Sequence, residues 1–412
     1  MNSPLNLFMT LLALTCLLAP PAGAHESGQI PGIAGPVSDH FDGRRYFNPG
    51  LYAPSPSAEP VQGRSRPAWI WRWMFGNEWP KWREVKDNAP GPPPADRVPK
   101  GRLVITPVGH ATFLIQMDGV NLLTDPIWSE RCSPVSWAGP KRYRAPGVRF
   151  EDLPPIDAVL VSHNHYDHLD LPTLERLAGK GVPRAITPLG NGDLIGEAGI
   201  SRTEELDWWK SVRLTADVTV TLVPARHFSM RTLWDRNQAL WGGFVVSGPS
   251  GHVFHAGDTG YGTHFREIAR RFQDIRVALL PIAPFRPRPS SSAEGGHFSI
   301  VHMGPSEAVQ AHLDLGARMS IAAHYQVFQL GTEGFDDAVG ELASSLTRHG
   351  LKPESFVAPI LGRAIDPALS SDEVRRRVSL EQRSMARRPD RAAVYDRAPG
   401  SADGFIRNAA LR

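Results

Sequence analysis

Val161-Ser162-His163-Asn164-His165-Tyr166-Asp167-His168-Leu169-Asp170 runs directly out of the apolar stretch Ala158–Val161. In an extended segment, side chains two apart project to the same side, so His163 and His165 converge on one position. A turn near Tyr166 then carries Asp167 and His168 to a second position beside the first. Imidazole nitrogen and carboxylate oxygen suit zinc or a similar borderline cation, and no thiolate is needed. One His-x-His alone is a weak signal, because a lone histidine is more often packed or at the surface. Four ligand-type side chains in so short a run, at the exit of a strand, make a metal centre the sharper expectation.

A centre with two metals needs further donors, and three stand just past other apolar runs. His227 follows Val218–Pro224, Asp258 follows the strand-like His252–His255, and His324 follows Met319–Ala323. A sheet presents such positions at one edge. Asp258 has two oxygens and can reach one metal with each, while Gly257 and Gly260 permit a tight turn there. Taken singly, each of the three could equally be a buried histidine or a capping aspartate, and their shared placement is what groups them. Asp125 and Asp170 are candidates to accept the second N–H of a metal-bound imidazole. Asp125 could equally cap a turn before Pro126. His110, which begins the strand Ala111–Met117, is expected to serve packing near the site. Lys141 and Arg142 could bind a phosphate or could be a solvated face.

Composition narrows the rest. The chain has 412 residues, with 45 Lys and Arg against 42 Asp and Glu, and this near-neutral balance speaks against a dedicated nucleic-acid binder. With 41% hydrophobic and 21% charged residues it can bury a core. Two cysteines exclude a disulfide scaffold and every cysteine-ligated zinc module. Short β-branched runs at Leu103–Val108, Phe113–Met117, Ala158–Val161, Val218–Val223, Phe244–Val246 and Val277–Ile282 read as strands. Helical patterns fall at Leu171–Ala178, Gly262–Arg271, Pro305–Leu315 and Phe335–His349, giving a layered α/β or α+β domain over residues 101–363.

Outside that domain the chain changes character. Residues 1–24 hold the apolar stretch Leu5 to Ala19, short for a membrane span, and end in the cleavage-like Ala22-Gly23-Ala24. An export signal is expected, hence a periplasmic or envelope-associated protein, with an uncleaved anchor as the alternative. Residues 25–100 are rich in Pro, Gly and Ser and read as an extended arm. Within it Trp69, Trp71, Trp73, Trp79 and Trp82 alternate with Arg72, Lys81 and Arg83. Such a stretch suits peripheral association with a membrane surface, or packing onto the main domain. Residues 364–412 are expected to form a loose tail.

Further motifs give these residues a context. They are Gly109-His110-Ala111-Thr112-Phe113, Leu123-Thr124-Asp125-Pro126-Ile127, Gly139-Pro140-Lys141-Arg142-Tyr143, Glu205-Leu206-Asp207-Trp208-Trp209 and Ala256-Gly257-Asp258-Thr259-Gly260-Tyr261. With the His-x-His-x-Asp-His core and its distant His, Asp and His, the sequence resembles the metallo-β-lactamase superfamily. Within it, the likeness is to the branch of N-acyl-phosphatidylethanolamine-hydrolysing phospholipase D and its bacterial relatives. It covers roughly Arg102 to Leu361.

The resemblance implies a four-layer αββα sandwich with an extended N-terminal arm, residues 101–363 being the hydrolase domain. It implies two zinc ions, or similar divalent metals, at one sheet edge. His163, His165 and His227 would hold one, Asp167, His168 and His324 the other, and Asp258 would bridge them. The implied activity is that of a phosphodiesterase acting on N-acyl-phosphatidylethanolamine-like lipids through a metal-bridging hydroxide, with Asp167 in the catalytic set. His302, in Val301-His302-Met303-Gly304-Pro305-Ser306-Glu307-Ala308-Val309, would contact the polar head of the substrate. The chain departs from the family pattern at Phe285-Arg286-Pro287-Arg288-Pro289 and its following SSSAEGGHFS, and at His324-Tyr325-Gln326-Val327-Phe328. These changes touch the pocket wall and not the ligands. A lactonase or other carboxylic-ester or amide hydrolase is therefore the alternative, and a binding protein with a vestigial site is the alternative of another class.

Overall fold

Alternation with a period of two shapes both sheets of the protein. In β2 (Thr112–Met117), Phe113, Ile115 and Met117 join one buried cluster while Leu114 joins another on the opposite face. In β11 (Ile275–Pro281), Val277 and Leu279 face the first cluster, and Ala278 and Leu280 face a third. Strands buried on both faces are what a sheet sandwiched between layers requires.

The computed structural model describes residues 37–49, 81–82, 85, 89–286 and 298–367. All of them belong to the unit Met1–Pro367, and the second unit, Ala368–Arg412, lies outside the described residues. So do the expected export signal at 1–24 and Trp69, Trp71, Trp73 and Trp79. Among the described residues, no helix is long and apolar enough to cross a membrane.

The first sheet runs in the order β1 (Leu103–Gly109), β2, β3 (Val120–Thr124), β4 (Ala158–Leu160), β5 (Ala185–Pro188) and β6 (Thr203–Leu206). Its β1-β2-β3 part is antiparallel, and β3 to β6 are parallel. The second sheet runs from β13 (Phe356–Val357) through β12 (Met319–Ala323), β11, β10 (Gly251–His255), β9 (Gly243–Gly248) and β8 (Thr219–Val223) to β7 (Ser211–Arg213). Here β10 to β13 are parallel and β7 to β10 antiparallel. The largest core lies between the two sheets. Helices α1 (Leu171–Gly179) and α2 (Gly192–Glu197) pack Leu174, Leu177 and Ile195 on the outer face of the first sheet. Helices α3 (His264–Arg271), α4 (Pro305–Leu315) and α5 (Asp337–Arg348) do the same for the second with Phe265, Val309 and Leu342. This is the expected αββα sandwich.

Five of its strands, β3, β5 to β7 and β13, were not legible as strands. β5 has four residues ending in proline, β6 is Thr-Glu-Glu-Leu at a sheet edge, and β7 is largely exposed, so none of these three carries an apolar run. Both expected domain limits also shift. Phe41 and Tyr46, placed in the extended arm, are buried in the core between the sheets. Trp82 is buried as well, its Nε1 donating to Glu333 O at 2.9 Å and its ring lying against Tyr143 and Phe335. At the other end Ile365, assigned to the loose tail, exchanges backbone hydrogen bonds with Ile105 at 2.8 and 2.9 Å, and Asp366 pairs with Arg102.

Candidate metal centre

Strands β4, β8, β10 and β12 end on one edge of the sandwich, and the chain just beyond each carries ligand-type residues. Parallel pairing puts Asp125, past the end of β3, beside Ser162, past the end of β4. At Gly257, with φ +59°, an added Cβ would stand 2.7 Å from the Ser162 side chain, so only glycine lets Asp258 approach there. At Gly260 a Cβ would run into Ile300 O, a close approach of backbone to backbone.

The loops bring all seven expected ligands together. Nε2 of His163 lies 2.8 Å from Nδ1 of His165, which is 3.2 Å from Nε2 of His227. On the other side, Nε2 of His324 is 3.1 Å from Asp167 Oδ2 and 3.2 Å from Nε2 of His168. Asp258 stands between the two groups. Its Oδ1 is 3.1 Å from His324 Nε2 and 3.5 Å from His168 Nε2, and its Oδ2 is 3.8 Å from His227 Nε2.

The donor set fits a divalent cation in each group. Two donors about 2.0–2.1 Å from one tetrahedral ion stand about 3.4 Å apart, close to the spacings seen. A proton can join one pair of facing nitrogens but not three donors at once. Asp258 Oδ1 is buried with no formed hydrogen bond, a cost that a cation removes. Electrostatics differ between the halves. Burial pushes His165 down to about 3 and holds His163 and His227 well below the ordinary histidine value, so these rings keep their lone pairs. Burial also disfavours charge on His168 and His324. Their carboxylate neighbours outweigh it, raising His168 well above its usual value and His324 to about 9.

A second ring of contacts orients these side chains. Asp125 Oδ2 accepts from Nδ1 of His168 at 2.9 Å, Nε2 of His255 at 2.9 Å and the Ser162 hydroxyl at 2.8 Å. Burial alone would push this carboxyl up, but His168 and His255 hold it below the usual range. Asp170 instead accepts from Ser129 Oγ at 2.8 Å and Thr173 Oγ1 at 2.5 Å, bracing the start of α1. His227 Nδ1 donates to Val301 O at 2.9 Å, which leaves Nε2 facing the cluster. His110, expected to pack, does more. Its Nε2 is 2.9 Å from Asp167 Oδ2, its carbonyl accepts from His324 N at 2.9 Å, and its ring lies 3.9 Å from that of His324.

His302 sits at the margin, Nδ1 3.7 Å from Asp258 Oδ2, and burial pushes it down to about 4. Arg142 is spent elsewhere: it donates to Ser129 O at 3.1 Å and Ile127 O at 2.9 Å and lies over the Phe328 ring. Lys141 is exposed, and among the described residues no hydrogen bond or ion pair joins either residue to the cluster. Sequence reasoning missed His255 and also Asn48, whose side-chain amide bonds the backbone N and O of His227. His255 had the signal of sitting on the strand that delivers Asp258, whereas Asn48 had none nearby.

Comparison with known proteins agrees with this geometry. The family described as the beta-lactamase superfamily domain matches residues 120–325. The N-acyl-phosphatidylethanolamine-hydrolysing phospholipase D 1 of Caenorhabditis elegans is 35% identical over 274 residues, covering 63% of this chain and 74% of that protein. A UPF0173 metal-dependent hydrolase of Pyrobaculum neutrophilum is 30% identical over 228 residues, covering 54% of this chain and 84% of its own. The crystal structure of an isothiocyanate hydrolase from Delia radicum gut bacteria superposes with a TM-score of 0.50 at 19% identity, covering 64% of this chain and 98% of that one, a likeness of fold alone. The chain belongs to the metallo-β-lactamase superfamily. Within that class it is a metal-dependent hydrolase, and so an enzyme.

Proposed function

We propose that the protein is a binuclear, zinc-type phosphodiesterase of the phospholipase D kind, acting on N-acyl-phosphatidylethanolamine-like lipids. The observation that carries the binuclear reading is Asp258, whose two oxygens face two separate ligand groups. His163, His165 and His227 would hold one metal, Asp167, His168 and His324 the other. When bound, such a pair supplies a water ionised near neutral pH and positive charge for the phosphate oxygens. The substrate class rests on the likeness to the Caenorhabditis elegans phospholipase and on the order of motifs along the chain.

The chain's own residues prepare the site. Val301 O and Asp125 hold the Nδ1 protons of His227 and His168, so both rings present Nε2 to the centre. His110 donates to Asp167 Oδ2 and fixes that carboxylate. His302, kept neutral by burial, is placed to meet the phosphate or its leaving oxygen beside Asp258. Hydrolysis then forms a new P–O bond with water's oxygen and breaks the bond to the N-acylethanolamine oxygen, which leaves with a proton.

The test is incubation of purified protein with N-acyl-phosphatidylethanolamine, read by mass spectrometry beside metal analysis. Phosphatidic acid and N-acylethanolamine, with two metals per chain, support the proposal. Turnover of lactones with intact phosphodiesters would move the assignment to a carboxylic-ester hydrolase, and a folded chain that binds no metal would end it.

A further inference from the structure

His227 has no sheet partner to hold it. It lies beyond the end of β8 at Val223, on the loop that leads to Trp241, yet its Nε2 has to meet His165. What grips its backbone comes from far away in the chain. Asn48 Nδ2 donates to His227 O at 2.8 Å, and Asn48 Oδ1 accepts from His227 N at 3.2 Å. The pair of bonds defines the orientation of the amide. Turning it over would set donor against donor and acceptor against acceptor. Asn48 and His227 are both buried, so neither bond can be exchanged for water without cost.

We infer that Asn48 is a positioning residue for the metal group His163, His165 and His227, acting through the backbone of His227. The inference rests on the proposed metal role of those three histidines. Asn48 clamps the main chain of His227 while Val301 O ties the Nδ1 end of its ring, and together they aim Nε2. Asn48 is itself held on a short strap, residues 37–49. Tyr46 N donates to Asn237 O at 2.8 Å, Arg45 Nη1 donates to Arg236 O at 3.0 Å, and His40 Nε2 meets Asp207 Oδ1 at 2.8 Å. The strap thus crosses the loop that bears His227, and that loop is closed on itself by Asn237 N donating to Ser229 O at 2.8 Å. The strap lies outside the region matched by the family, residues 120–325, so this chain completes its metal centre with a segment from beyond that region.

The experiment loads full-length protein with Co(II) and titrates it against a competing chelator, following metal per chain and the visible absorption of the bound ion. The chains compared are wild type, His227→Ala, Asn48→Ala, Asn48→Asp and Lys100→Ala. Asn48→Ala is expected to weaken one of the two ions by about 10- to 100-fold and shift its visible band, with the other ion unchanged. Asn48→Asp keeps the acceptor for His227 N but sets a second oxygen against His227 O, and should weaken the same ion at least as much. Lys100→Ala removes an exposed ion pair with Asp217, outside the strap, and should bind both ions as wild type does. Should Asn48→Ala not fold, judged by circular dichroism, Asn48→Asp carries the test. Wild-type affinity and spectrum in the folded Asn48 variants overturn the inference, as does an equal loss in Lys100→Ala. Undiminished metal binding by His227→Ala would remove the metal reading itself, and this inference with it.

Discussion

Asp125 Oδ2 lies 2.9 Å from Nδ1 of His168 and 2.8 Å from the Ser162 hydroxyl, and His163 Nδ1 stands 3.0 Å from that same hydroxyl. One buried carboxylate therefore orients a histidine in each of the two ligand-type groups, His168 directly and His163 through Ser162. Asp125→Asn keeps the shape but gives up an oxygen that every neighbour addresses as an acceptor. Both ions are expected to bind about 10- to 100-fold more weakly. Chelator competition measures this, and a loss confined to one ion would contradict the relay. Asp125→Ala should in addition lower stability, since each buried donor left unpaired costs about 1–3 kcal/mol.

Asp258→Asn replaces one of the two oxygens that face the separate ligand groups. The expected outcome is a fall from two metals per chain to about one, with hydrolysis reduced about 100-fold or more. Metal analysis and a turnover assay on the same sample check it. Two tightly held metals in this variant would show that Asp258 does not bridge.

His264, which is not one of the candidate ligands, supplies a pH dependence of its own. Burial pushes it down to about 3 from an unfolded value near 6.5, and its Nε2 faces Thr259 Oγ1 at 3.2 Å. The unfolded chain takes up this proton first as pH falls. The neutral ring thus contributes stability that is fully present above pH ~6.5 and is lost between there and about 3, each pH unit costing up to about 1.4 kcal/mol. His264→Leu should flatten that part of the acid limb. Urea midpoints at pH 7, 5 and 4 decide it: parallel curves for variant and wild type would exclude the effect.

Trp82 is buried against Tyr143 and Phe335, so it is unavailable to a membrane. If the stretch before it serves a lipid surface, Trp69, Trp71, Trp73 and Trp79 are the residues left to do so. Replacing those four by Gln is expected to lower sedimentation with anionic phospholipid vesicles and leave turnover of a soluble substrate unchanged. Unchanged vesicle binding would dismiss the interfacial role.

The amino-acid sequence alone was enough for a layered domain and for the seven candidate ligands, the αββα sandwich being what the family resemblance added, and the reason is locality. Alternating apolar runs sort their own side chains to two faces, and a ligand placed just past such a run is delivered to the sheet edge wherever the strand lies. Four of the donors fall between His163 and His168, so their convergence needs only one turn. What supports the ligands is a matter of distance in space. Asp125 and Asp170 were equal candidates in sequence, and only the parallel pairing of β3 with β4 sets Asp125 beside Ser162 and His168. His110 looked like packing until the carbonyl and ring contacts with His324 were formed across the sandwich. Arg142 looked free to take a phosphate until the loop carbonyls of Ile127 and Ser129 claimed it. Asn48 stands 179 positions from His227 and carries no local pattern at all. Ligand identity is written in short stretches, because strand and turn geometry are local. The aim of each ligand is decided by tertiary structure, because a buried hydrogen bond depends on where two backbones meet and not on their separation along the chain.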